Sequence, residues 1–349
     1  MLVLNDIHIG AARKAGTTPA SQEALRTFVF SEFSDLLASG QDQDHHTVIN
    51  GDLFDRFEVE AADLIRTYGI LSKHIEDGNK LTLVMGNHDF NPRGGKVSSF
   101  HVLAHFLADR FPDSVQVVDH NVGLTQVSRN VWAIPHMPNQ EMFNLELESA
   151  AEVGGGLLLL HANYANNFAD EADHSLNVSE EQADRLIQAG WSLLFGHEHQ
   201  YKLAKSGAVV IPGNQIPTSV ADCLGCSAKY QALIEGDKVR VDRLYGIETL
   251  FAEVPWTELG TLPDESLRFI RVTGTATAEQ GADVVSEVAK LRQNHPALVI
   301  TNAVKVEGMA EFEALAEMSF EQITAFNVLE ALLAELEPKE QETVRELLK

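Results

Sequence analysis

The chain has 349 residues, with 26 Lys and Arg against 51 Asp and Glu and a formal net charge of −25. At 44% hydrophobic and 22% charged, its composition excludes a disordered, fibrous or collagen-like protein. The acidic balance excludes a protein that coats nucleic acid by bulk charge, and two cysteines cannot build a disulfide framework, which favours a reducing compartment.

Met1 to Leu4 reads as a buried strand. Ser21 is placed to cap a helix whose apolar residues Leu25, Phe28, Val29, Leu36 and Leu37 fall at helical spacing. Thr47 to Asn50 is a second strand. A helix through Leu64, Ile65, Ile70 and Leu71 follows and stops near Gly78. Leu81 to Met85, Val131 to Ile134, Leu157 to Leu160, Ser192 to Phe195 and Ala208 to Ile211 continue the strands. Tyr230 to Ile234 and Val239 to Leu244 flank Glu235-Gly236-Asp237 as a hairpin. The alternation predicts a layered α/β fold with central sheets covered by helices.

The stretch from Val254-Pro255 to Pro263 reads as a linker. Beyond it, Leu267 to Val272, Glu279 to Leu291 and Leu298 to Val306 form a small β-α-β unit. The segment 311–349 is helical and acidic, with ten glutamates against three basic residues. Ser319 and Gln322 fit a capping box, and Ile323, Phe326, Leu329, Leu333 and Leu336 line one face. That apolar stripe on an acidic helix suits docking into a partner's groove. The longest apolar runs fall far short of a membrane span. Met1 leads straight into Leu2-Val3-Leu4 without a basic leader. The expectation is a soluble cytoplasmic protein with no membrane partner.

Five polar marks close predicted strands: Asp6-Ile7-His8, Gly51-Asp52, Gly86-Asn87-His88-Asp89, His161, and Gly196-His197-Glu198-His199. In layered α/β folds such strand ends gather on one rim, where ligands bind. Two aspartates, one asparagine and four histidines would converge there. Carboxylate, imidazole and amide oxygen suit a dinuclear site for Mn²⁺, Fe or Zn²⁺. A bridging carboxylate holding two ions about 3.5–4 Å apart would clamp a phosphate and activate a water.

These motifs, in this order, resemble the calcineurin-like metallophosphoesterase superfamily over about the first 250 residues. The resemblance implies a layered α-β-β-α sandwich over 1–252 and two divalent ions, Mn²⁺ first and Mg²⁺, Fe or Zn²⁺ as alternatives. It implies one ion held by Asp6, His8, Asp52 and His199, and a second by Asp52, Asn87, His161 and His197, with Asp52 bridging. His88 would meet the leaving group or the phosphate. Asp55, three residues beyond Asp52, is placed to orient His88 through its carboxylate, as in the related serine/threonine phosphatases.

Within the superfamily the chain is similar to the SbcD nuclease subunits and their phage counterparts. Three features carry this: Gly10 continuing the first motif, the run Gly51-Asp52-Leu53-Phe54-Asp55, and a small α/β capping domain (264–309) before a helical partner-binding tail (311–349). Ile7 departs from that group's usual Trp. Asp55-Arg56 resembles the serine/threonine phosphatases, but Phe57 and Asp89 stand where they carry Gly and Glu. The implied activity is a metal-dependent DNA exo- or endonuclease in recombination and repair. The implied partners are DNA ends, an SbcC-like coiled-coil ATPase bound by the tail, and a second copy in a homodimer. The alternative enzyme acts on a phosphomonoester or small phosphodiester; the non-enzyme alternative is a scaffold with a decayed site, although no ligand position holds an apolar residue.

Arg13, Lys14, Arg56 and Arg93, with Lys96, follow the first three motifs and could track a DNA backbone. Cys223-Leu224-Gly225-Cys226 is one Cys-x-x-Cys where a zinc ribbon needs two, so it reads as a pair of loop cysteines. His101 and His105 share a helix face and read as packing or surface residues, without a carboxylate partner.

Overall fold

The apolar runs become strands because each can be buried on both faces. In the computed structural model, which describes residues 1–16, 18–39, 45–91, 96–166, 175–236, 238–260 and 267–307, the chain order is as follows. It opens with β1 (Leu2–Leu4), α1 (Pro19–Ser39), β2 (His46–Asn50), α2 (Ala61–Glu76), β3 (Lys80–Val84), α3 (Ser99–Arg110) and β4 (Val115–Val118). Next come β5 (Thr125–Ser128), β6 (Val131–Ile134), α4 (Gln140–Val153), β7 (Gly156–His161), β8 (Asn163–Tyr164) and β9 (Asn177–Val178). Then follow α5 (Glu180–Gln188), β10 (Trp191–Gly196), β11 (Lys202–Ala204), β12 (Val209–Ile211), β13 (Ala228–Glu235) and β14 (Lys238–Gly246). The helical tail predicted over 311–349, and Arg93, lie outside the described residues.

Two six-stranded sheets result, in the orders β14-β13-β1-β2-β3-β4 and β11-β12-β10-β7-β6-β5. Alternation along the strands sets the layers. Val3, Val48 and Val84 of one sheet share a buried cluster with Leu157, Leu159 and Leu194 of the other, so the sheets face each other. Leu158 and Leu160 point the opposite way, into a cluster with Phe143 and Leu147 of α4 and Leu186 of α5. This is the layered α/β sandwich expected. The strands β1, β2 and β3 are parallel, as are β7, β10 and β12. Their carboxyl ends carry the five polar motifs.

The first helix departs from the sequence reading. It starts at Pro19, two residues before Ser21. Pro at the first helical position costs no hydrogen bond, and the Thr18 hydroxyl accepts from the Ser21 N–H at 3.2 Å, so Thr18 does the capping expected of Ser21. On α1, Arg26 donates to Glu23 at 2.9 Å and Glu60 at 2.7 Å, and its Nε lies 2.8 Å from Asp63 of α2. Asp63 is buried, and burial holds its carboxyl above the ordinary value despite Arg26 beside it. Replacing Arg26 with Met should leave that carboxylate uncompensated and cost about 2 kcal/mol, less than a fully buried pair because Arg26 is partly exposed. Adding Asp63→Asn should recover part of the loss. Urea denaturation reads both, and an unchanged midpoint in Arg26→Met would refute the role.

The chain forms two compact units: Met1–Arg13 with Glu23–Glu248, and Lys14–Gln22 with the residues from Thr249 onward. The second holds β15 (Phe251–Pro255), β16 (Phe269–Thr273), β17 (Thr275–Ala276), α6 (Gly281–Asn294), β18 (Val299–Asn302) and β19 (Lys305–Val306). Its three-stranded sheet runs β15-β16-β18, all parallel. Val254, Ile270, Val272 and Ile300 pack with Val284, Val288 and Leu291 of α6. The stretch read as a linker therefore opens on an edge strand. Pro255 misled the reading, but an edge strand tolerates proline at its end because no partner needs its N–H.

Candidate metal centre

The motif loops are built from backbone that most residues avoid. Asp6, His8, Asp52 and His197 all have positive φ, at 53°, 52°, 48° and 85°. Strain of this kind persists where surrounding contacts over-determine it. The first two motifs supply such contacts by continuing to pair beyond their strands. His8 N–H donates to the Asp52 carbonyl at 3.0 Å, Ile9 N–H to Leu53 at 2.9 Å, and Asp55 N–H back to Ile9 at 2.9 Å. Two glycines make room. A Cβ on Gly51 would sit 1.8 Å from His161 Nδ1, and one on Gly86 2.1 Å from Asp52 Oδ1. Asp89 clasps the second and third motifs, accepting from the N–H of Phe54, Leu53 and Gly86 at 3.0, 3.3 and 3.1 Å. Burial, then repulsion from Asp52, raises its pKa to about 7.

All seven sequence-predicted ligands meet on this rim. Ligand atoms of Asp6, His8 and His199 lie within 4.8 Å of one another, as do those of Asp52, His161 and His197. A third group joins His8, Asp52 and His88. Asp52 lies between: its Oδ2 is 3.3 Å from His161 Nε2 and 3.9 Å from both His8 Nε2 and His88 Nε2. Asn87 Oδ1 lies 3.0 Å from His161 Nε2 and 3.1 Å from His197 Nδ1. The Asp6 carboxylate accepts from the His197 N–H at 3.0 Å, tying the first motif to the last.

The donor set fits divalent cations. His161 Nδ1 donates to the Asn50 carbonyl at 3.0 Å, and His199 Nδ1 to Asp222 Oδ1 at 2.6 Å. Each ring then turns Nε2 inward, where an ion can take the place of a proton. His8 Nε2 and His199 Nε2 stand 3.1 Å apart, beside carboxylates that can only accept. Lone pairs converging on lone pairs are stabilised by a cation among them. Electrostatics agree. Burial opposes a charge on His161, yet Asp52, Asp6 and the Asn50 carbonyl overcome it and raise the ring's pKa to about 10. The site thus draws positive charge inward. Carboxylate, imidazole and amide oxygen with no thiolate suit Mn²⁺, Fe or Zn²⁺.

The remaining predicted residues divide. His88 sits on the rim, 31% exposed, within reach of a substrate. Its Nδ1 lies 2.6 Å from the Asp55 main-chain carbonyl. The Asp55 carboxylate, expected to orient His88, turns Oδ1 to 3.5 Å from His8 Nδ1 instead. Arg56 is half-buried, and its Nε has no hydrogen-bond partner among the described residues. Arg13 and Lys14 lie in the 3-10 turn Ala11–Ala15, Arg13 exposed. Lys96 is exposed, 3.9 Å from Glu58. His101 does have a carboxylate partner, Asp119 at 3.5 Å, brought from the far end of β4.

The sequence reading missed three supporting acids. Asp89 and Glu198 lay inside quoted motifs without a role; Glu198 Oε1 accepts from the Tyr164 N–H at 2.6 Å. Asp222 had no local signal, since only folding brings it to His199.

An α-β-β-α sandwich with aspartates and histidines gathered at its strand ends defines a metal-dependent phosphoesterase. The calcineurin-like phosphoesterase model matches residues 1–216, and the chain belongs to that family. Its chemistry is hydrolysis of phosphoesters. No curated protein matches the chain. Among solved structures it is similar to the cold-active protein-tyrosine phosphatase of a psychrophilic Shewanella species, at 14% identity over 70% of this chain and 80% of that one, with a TM-score of 0.34. Among the described residues, no helix is long and apolar enough to cross a membrane.

Proposed function

We propose that the chain is a dinuclear-metal DNA phosphodiesterase, the nuclease subunit of an SbcC–SbcD-like end-processing complex, working as a homodimer with a coiled-coil ATPase bound by 311–349. Asp6, His8, Asp52 and His199 would hold one ion, and Asp52, Asn87, His161 and His197 the other. When bound, the two ions supply Lewis acidity to phosphate oxygens and a water of lowered pKa. The chain's own residues do the rest. The Asp55 carbonyl accepts from His88 Nδ1, so the ring, once protonated on both nitrogens, would present Nε2–H toward the leaving oxygen. Arg56 follows the second motif on the same loop, a half-buried cation suited to a phosphate oxygen. Local sites of this kind serve an acidic protein better than bulk charge does.

The convergent centre with a half-exposed His88 carries the phosphodiesterase reading. The DNA-end reading is supported by Gly51-Asp52-Leu53-Phe54-Asp55, by the small parallel α/β unit after Thr249, and by the apolar stripe of the acidic tail. The test is an end-labelled duplex incubated with the full chain and Mn²⁺, with and without the ATPase. Labelled nucleotides should be released, faster with the ATPase, and chelation should stop the reaction. Turnover of a chromogenic phosphomonoester with no cleavage of DNA would replace this reading with a small-substrate phosphatase.

A further inference from the structure

Asp222 lies past the residues matched by the family and outside all five motifs. Its side chain is 5% exposed and divides its oxygens between two tasks. Oδ2 accepts from the Thr218 N–H and hydroxyl at 2.8 and 3.1 Å, and from the Ser219 N–H and hydroxyl at 2.9 and 3.1 Å. Oδ1 is left for the His199 ring. The loop is pinned from beneath. Lys229, 2% exposed, donates from Nζ to the Asp222 carbonyl at 2.7 Å and to Asn214 Oδ1 at 2.6 Å. The Cys226 thiol reaches the same carbonyl at 3.4 Å, and the Cys223 thiol the Ser219 carbonyl at 3.7 Å. The Cys-x-x-Cys pair therefore packs this loop.

We propose that Asp222 is a positioning residue that fixes the His199 tautomer and so sets the affinity for the ion held with Asp6 and His8; the inference rests on the metal-centre reading. A carboxylate can only accept, so the shared proton belongs to His199 Nδ1 and Nε2 keeps its lone pair toward His8. A carboxylate behind a ligating histidine fixes the ring and raises its basicity, and its loss costs about 10–100-fold in metal affinity.

Asp222→Asn is a stringent variant because it preserves shape. Four donors surround the Oδ2 position, so the amide oxygen must settle there. The amide NH₂ then faces His199 Nδ1 and turns that nitrogen into an acceptor. The ring proton moves to Nε2, where an ion would sit.

The test uses the full chain with ¹⁵N-labelled histidine and a His199→Gln control for assignment. Without metal, His199 should carry its proton on Nδ1 in the wild type and on Nε2 in Asp222→Asn. Calorimetry with Mn²⁺ should show one of two equivalents weakened about 10–100-fold and the other within twofold. A wild-type ring protonated on Nε2 overturns the proposal without any variant. So do two chains with the same tautomer and the same two affinities. A wild type that takes up no Mn²⁺ refutes the metal-centre reading, and the inference with it.

Discussion

Asp52→Asn is expected to leave a folded protein that binds both ions weakly and hydrolyses phosphoesters at least about 10³-fold more slowly. The position explains the size of the effect. Asp52 is 1% exposed and belongs to two of the three candidate ligand groups. Losing its charge therefore touches both ions, and several kcal/mol of charge stabilisation corresponds to a factor of this order at 1.36 kcal/mol per tenfold. Asn is the right probe because φ here is 48°, a region it tolerates and alanine does not. It can also keep the Oδ1 acceptor that takes the His88 N–H at 2.9 Å, so the third motif stays seated. Circular dichroism of the metal-free variant should match the wild type. Calorimetry with Mn²⁺ and a chromogenic phosphodiester assay then decide. Two ions retained at wild-type affinity would show that Asp52 does not bridge.

Much of this architecture could be read from residue order. A parallel strand buried on both faces is an unbroken apolar run, and Leu157–Leu160 is such a run. The residue that ends the run sits on the rim, so residue order alone marks seven candidate ligand positions. What could not be read depends on contacts made at long range or through the backbone. Phe251–Pro255 carries a proline, and only its pairing with Phe269–Thr273 makes it a strand. The start of α1 turns on Thr18-Pro19 rather than on the serine two residues later. His101 meets Asp119 and His199 meets Asp222 across 18 and 23 residues of chain respectively; no local pattern marks either acid.

Asp55 is the sharpest case, and it alters an expectation about turnover. Read from the sequence, its carboxylate would orient His88, and losing either would remove one working unit. In the structure His88 rests on the Asp55 carbonyl, which every residue at that position would offer. The carboxylate faces His8 instead. Two separate effects follow. His88→Asn should keep both ions and cut turnover by about 10²–10⁴, the usual worth of a positioned acid. The loss should shrink for substrates whose leaving group needs no proton, such as nitrophenyl esters. Asp55→Asn should leave His88 in place and loosen the His8 ring, weakening one ion by about 10-fold or more. Because the carboxylate and His88 act on different steps, the losses at a fixed, subsaturating Mn²⁺ concentration should multiply, with a coupling energy within about 0.5 kcal/mol of zero. A double variant no slower than His88→Asn alone would show that the Asp55 carboxylate works through His88 after all. If the multiplication holds, the acid and the metal scaffold of this site are supplied by one residue through two different groups: a backbone oxygen for His88 and a side-chain oxygen for His8.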